Sequence, residues 1–171
     1  MSKTARDVAE LVKDWAIEEG IMSKKIPPKE ELEFGFELKF PPSAPFQKGI
    51  ALVCPKDKDF LVFQLGTQMN PEHATIMKES PPEKQVKFYS KLKKFVYQQN
   101  LLYNLDIPNL RWAIIDQLHF DGLTKNAFFT SLRKVFNTSL YIDQILAENI
   151  LAGSSSPNES SRTGPRSSLY M

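Results

Sequence analysis

The stretch Glu31-Leu32-Glu33-Phe34-Gly35-Phe36-Glu37-Leu38-Lys39-Phe40 decides the fold class. Leu32, Phe34, Phe36, Leu38 and Phe40 take every second position, and charged residues or glycine take the others. Side chains of a strand alternate between its two faces, so this period describes a strand with one apolar and one solvated face. Pro27-Pro28 breaks the chain before it, and Pro41, Pro42, Ser43, Ala44 and Pro45 form a connector after it. Gly49 to Cys54 and Phe60 to Leu65 then read as two more strands, joined around Pro55-Lys56-Asp57-Lys58-Asp59. Three consecutive strands with short links favour an antiparallel meander.

Outside this meander the period changes to that of a helix. Thr4 with Asp7 forms an approximate capping box; Val8, Leu11, Val12 and Trp15 then share one face, and Gly20 supplies a stop. This predicts a surface helix packed on the sheet. Asn70 as cap and Pro71 at the first position predict a short helix that ends at Pro81-Pro82. From Glu83 to about Leu102 the stripe Phe88, Tyr89, Leu92, Phe95, Val96 and Leu102 predicts a middle helix, broken by Asp106 to Asn109. Leu110 to Phe120 reads as a fourth strand with Trp112, Ile114, Asp116, Leu118 and Phe120 in one phase. Asp121-Gly122 ends it; Thr124 caps a long last helix, Leu123 can staple onto Phe128, and the apolar face runs on to Ile150. At 1.5 Å per residue that helix is roughly 39 Å long. The expected fold is α+β, with an antiparallel sheet of four to five strands, an N-terminal helix, a middle helix and a long C-terminal helix. Residues 1–152 form one domain, and the Ser-, Gly- and Pro-rich segment 153–171 reads as a disordered tail.

The 171 residues are 42% hydrophobic and 25% charged with a net charge of +2, an ordinary globular balance that gives little general pull on an anionic partner. With a single cysteine no disulfide framework exists, and no apolar run approaches the ~18 residues that span a bilayer. A cytoplasmic address without membrane association is the expectation.

Catalytic material is thin. His73, His119 and Cys54 are scattered over different elements, and no nucleophile elbow, Cys-x-x-Cys, His-x-x-x-His or glycine-rich phosphate loop occurs. Cys54 before Pro55 reads as a small hydrophobe, and His119 with Asp121 offers only two ligands toward a metal. Neither a cofactor nor a metal is expected. Asp116 stands out as a carboxylate in an apolar phase, which requires a bulge, a structural pair with Arg111 or a lysine, or an acid–base role; the first two are favoured. Glu31, Glu33 and Glu37 form a solvated row. Lys84, Lys87, Lys91 and Lys94 recur at spacings of 3, 4 and 3 along one side of the middle helix, an anion-binding stripe or a plain solvated face, with Tyr97 near its end. Phe34, Phe36 and Leu38 share one strand face that meets either core or partner. Twelve phenylalanines and the length of the last helix favour a homodimer.

The order helix, three-strand meander, helix, strand, long helix resembles small archaeal proteins of unassigned function. So does the segment Asp121-Gly122-Leu123-Thr124 leading into Phe128, Leu132, Val135 and Phe136. These are similar in layout to the YbjN-like and type III secretion chaperone-like families, over roughly residues 4 to 150. The resemblance implies a commonly dimeric α+β domain that binds other polypeptides and has no catalytic residues to carry over. The serine-rich tail departs from it, and no apolar groove for a client is evident in the sequence. The expected function is a non-enzymatic protein-binding or chaperone-like adaptor, probed through Phe34, Phe36 and Leu38. A nucleic-acid-associated protein using the lysine stripe is the alternative.

Overall fold

The computed structural model describes residues 3–43 and 45–154. Helix α1 (Ala5–Glu18) opens on a complete capping box: Asp7 N–H donates to Thr4 Oγ1 at 3.2 Å, and Thr4 N–H donates to Asp7 Oδ2 at 3.1 Å. Val8, Val12 and Ala16 turn inward, and Gly20 at φ +68° ends the helix in the left-handed region. Strands β1 (Met22–Lys25), β2 (Leu32–Phe40), β3 (Lys48–Pro55) and β4 (Phe60–Gln68) follow as a meander. Helices α2 (Pro71–Glu79) and α3 (Pro82–Gln98) lead to the hairpin β5 (Leu102–Asp106) and β6 (Arg111–His119). A single 3-10 turn, Phe120–Gly122, precedes α4 (Lys125–Ser154). All pairings are antiparallel, in the order β1-β2-β3-β4-β6-β5.

The class is the expected one, and the sheet has six strands rather than four or five. β1 reads Met-Ser-Lys-Lys, which has no apolar alternation because an edge strand packs only its first residue. β5 was hidden in the apolar stripe of α3. That helix stops at Gln98, Asn100 turns the chain at φ +54°, and Leu102 belongs to the sheet, not to the helix. The Asp106–Asn109 break is the β5–β6 turn, where Asn109 Nδ2 donates to the Asp106 carboxylate at 2.8 Å. α4 spans 30 residues, about 45 Å at 1.5 Å each, and takes in Gly153 and Ser154. The rest of the expected tail, 155–171, lies outside the described residues.

All four helices lie on one face of the sheet. The apolar phase of β2 joins Ile50, Leu52 and Cys54 of β3, Leu61, Phe63 and Leu65 of β4, and Trp112 and Ile114 of β6 in one core. α4 crosses β4 and β6, with Phe128 edge-on to Phe63 at 5.5 Å and Phe136 edge-on to Phe40 at 5.5 Å. Thr124 starts it as expected, accepting from Ala127 N–H at 3.1 Å. α3 packs on α4 and β5, with Phe88 edge-on to Trp112. The opposite face of the sheet carries Ala51, Val53, Val62 and Ile115, and among the described residues no helix lies over them. Ile26 reaches that face over Gly35, where an added Cβ would lie 3.1 Å from Ile26 Cβ.

Two ion pairs fix α4 laterally. Asp116 is buried, as its phase in β6 requires, and its Oδ2 meets Lys134 Nζ at 3.0 Å. Lys48 on β3 reaches the other flank, donating to Ser139 Oγ at 2.7 Å and pairing with Asp143. Removing Lys134 alone leaves a buried carboxylate without its counter-charge, whereas an apolar pair of similar volume leaves nothing unsatisfied. Chemical denaturation of Lys134→Ala is expected to show a loss of about 1–3 kcal/mol, and the double variant Asp116→Leu with Lys134→Met a smaller loss or none.

Candidate functional site

Phe34, Phe36 and Leu38 do share one side of β2, and it is the helix-covered side. Leu38 is fully buried in the core and Phe36 is 5% exposed, whereas Phe34 is half-buried. The two phenyl rings lie 5.6 Å apart. They run out toward the margin of the sheet, where α1 does not seal against β1 and leaves a groove of about 380 Å³. Phe34, Phe36, Met22 and Ala9 form its apolar floor. Arg6, Lys13 and Lys25 stand on its walls beside Glu10, which pairs with Arg6 at 3.8 Å. A register shift between Met22 and Lys24 explains the lining: with it, Met22 and Lys25 of β1 pair with Leu38 and Phe36 of β2 and point to the same side. β1 is an outermost strand, so one row of its backbone N–H and C=O groups has no strand beside it. The sequence could not reveal this groove, because one of its three walls is a strand without a hydrophobic pattern.

Lys87, Lys91 and Lys94 are exposed and Lys84 is half-buried. Phe88, Tyr89, Leu92 and Val96 turn the opposite side of α3 into the core. Beside the lysines, Phe95 is stacked on Tyr141 of α4 with centroids 3.9 Å apart. Tyr97 lies on the other flank, edge-on to Tyr103 of β5. It does not extend the lysine row.

The remaining candidates have structural places. Cys54 is buried and its Sγ points to the carbonyls of Pro55 and Lys58 at 3.6 and 3.7 Å. Burial, helped by the charge of Glu33, pushes its pKa up to about 11, the opposite of an activated nucleophile. His119 pairs with Asp59 at 3.7 Å and packs against Phe60, while Asp121 accepts from Gly122 N–H at 2.8 Å. His73 is held at the start of α2, its backbone N–H donating to Asn70 Oδ1. Among the described residues no three His, Cys, Asp or Glu side chains converge as a metal site, and no helix is long and apolar enough to cross a membrane. One hollow was missed in the sequence: on the uncovered sheet face, Gln68, Arg111 and Asp106 align across β4, β6 and β5 beside a floor of Gly66 and Ala113, about 470 Å³ in volume. It became visible only once β5 was placed.

A helix, a meander, a helix pair, a hairpin and a long closing helix over one face of an antiparallel sheet define the α+β class of this chain. The chain belongs to the family described as "Uncharacterized conserved protein (DUF2299)", whose profile matches residues 8–146. It is similar to a crystal structure of an uncharacterized protein from Methanothermobacter thermautotrophicus, with 25% identity and a TM-score of 0.74 over 82% of this chain and 97% of that one. It shares its fold with the crystal structure of the ExsC-ExsE complex, at 18% identity and a TM-score of 0.55 over 85% of this chain and 97% of that one. YbjN from E. coli aligns at 13% identity and a TM-score of 0.46, covering 84% of this chain and 93% of that one. No curated protein matches the chain.

The state of Cys54 is directly checkable. At pH 8 a thiol with a pKa near 11 is thiolate on the order of 0.1% of the time. Native protein is expected to react with iodoacetamide at least ~100-fold more slowly than urea-unfolded protein, as followed by intact mass.

Proposed function

We propose that the protein is a non-enzymatic, chaperone-like adaptor that holds an extended polypeptide segment in the groove between α1 and the β1–β2 edge. The observation that carries this reading is the coincidence of an apolar floor, Phe34 and Phe36, with an unpaired strand edge, β1. A polypeptide in extended form can use both at once, main chain against the edge and alternate side chains on the floor. Leu38 contributes by packing beneath that floor rather than by touching the client. The shared fold with ExsC, which is seen in a complex with ExsE, supports the same reading.

The adaptor acts as a homodimer. Val86 and Tyr97 on the outer flank of α3, and Leu102 at the start of β5, are 68%, 71% and 54% exposed. Large apolar side chains so placed beside the other free sheet edge suit a self-complementary contact. The nucleic-acid alternative is weaker, because the aromatic pair beside the lysines is already stacked on itself and the exposed Tyr97 lies on the other flank of α3.

Two measurements test this. Neutral fluorescent peptides of about 10 residues that alternate apolar and polar side chains are expected to bind with little salt dependence, and Phe34→Ser to weaken them about tenfold or more. Equal binding by wild type and Phe34→Ser contradicts the groove. Light scattering is expected to give twice the 19.6 kDa chain mass, and Tyr97→Asp with Leu102→Asp to return the single-chain value.

A further inference from the structure

The segment Lys84-Gln85-Val86-Lys87-Phe88-Tyr89-Ser90-Lys91-Leu92-Lys93-Lys94 holds five lysines and no carboxylate. Elsewhere Arg6, Lys24, Lys48, Lys125 and Lys134 find acidic partners within the chain, while among the described residues Lys13, Lys56 and Lys78 stand singly without one; only on α3 do such lysines form a row. Among the described residues none of Lys84, Lys87, Lys91 and Lys94 has an acidic partner. From Lys84 to Lys94 the row spans about 15 Å along α3. Lys91 lies one turn before Phe95 on the side of α3 that faces α4, so the ammonium row borders the Phe95–Tyr141 stack. On the α4 side of that seam Tyr141 is exposed. Glu148, further along α4, is held by Gln144 Nε2 at 3.2 Å.

We infer that the α3–α4 seam is a second docking surface, distinct from the α1–β1 groove, and that it takes an acidic polypeptide segment carrying apolar side chains. Its carboxylates meet Lys87, Lys91 and Lys94, and its apolar groups lie on Tyr141 beside Phe95. Charge complementarity names the partner's sign. The already stacked aromatic pair beside the lysines favours a polypeptide over a nucleic-acid strand, which needs an aromatic face free for stacking.

The test is fluorescence anisotropy on the full chain with three probes: a labelled peptide of about 12 residues mixing Glu with Leu and Phe, an oligouridylate of about 12 nucleotides, and vesicles of about 3:1 phosphatidylcholine and phosphatidylserine. The acidic peptide is expected to bind the wild type more tightly than the other two probes do. Lys87→Glu with Lys91→Glu is expected to weaken it about tenfold or more, and Tyr141→Ala several-fold. Both variants change surface side chains, and an unchanged melting curve establishes that they fold. Equal peptide binding by the charge-reversed variant, no binding by the wild type, or tighter binding of oligouridylate or vesicles through the same lysines overturns the proposal. The neutral peptides separate the two surfaces. Retained neutral binding in the charge-reversed variant leaves the groove standing whatever the seam does, and loss of acidic-peptide binding only in Phe34→Ser assigns that peptide to the groove and overturns the seam.

Discussion

Everything in this molecule depends on the seating of α4 across β4 and β6. A six-stranded antiparallel sheet has two faces to satisfy, and here all four helices are committed to one. Phe128, Leu132 and Val135 of α4 are fully buried and close the core over Phe63 and Ile114. The Lys134–Asp116 and Lys48–Asp143 pairs act at its two flanks, against β6 and β3, so the helix is held against sliding as well as lifting. Polar contacts of this kind add little to net stability after desolvation, but they select one placement of a helix among several that an apolar face would tolerate.

The same arrangement leaves the margins of the sheet open. β4 and β6 lie under α4, whereas β1 and β5 are outermost and short, at four and five residues. Short, polar edges are how sheet proteins avoid uncontrolled pairing. β1 is such an edge in sequence, with Ser23, Lys24 and Lys25 exposed, yet it stands beside the apolar floor of Phe34 and Phe36. On the proposed function, protection and recognition meet in one place: the charges discourage indiscriminate strand addition, and the floor suits a segment with the right side chains. No comparable chemistry concentrates around Cys54, His73, His119 or Asp116, each of which is bound up with its own neighbours.

Much of the fold was legible because it obeys simple periods. β2 alternates without a break, Thr4 with Asp7 and the cap Thr124 mark helix starts, and the phase of Asp116 narrowed it to a bulge, a structural pair or an acid–base role. The partner itself was not legible, since Lys134 is brought to Asp116 by a turn and the packing of α4, which no local pattern encodes. β1 and β5 escaped for opposite reasons. One has too few apolar residues to register, and the other begins with a leucine that also suits the preceding helix, which only the left-handed Asn100 stops. The face shared by Phe34, Phe36 and Leu38 was visible from spacing. Which of the three reaches the surface was decided by how far α1 extends over the sheet, a tertiary fact. The lysine row was read correctly as a row, while its neighbours, Phe95 stacked on Tyr141, come together only in three dimensions.

Native-state hydrogen exchange under mild denaturant tests most directly the claim that α4 organises the sheet and leaves its edges poised for partners. Amides of β4, β6 and the 128–146 stretch of α4 are expected to exchange only through global unfolding, and those of β1 and β5 through smaller openings several kcal/mol lower, about 2–4 kcal/mol. Exchange of α4 amides through a low-energy opening, with β1 protected to the global limit, would contradict the account.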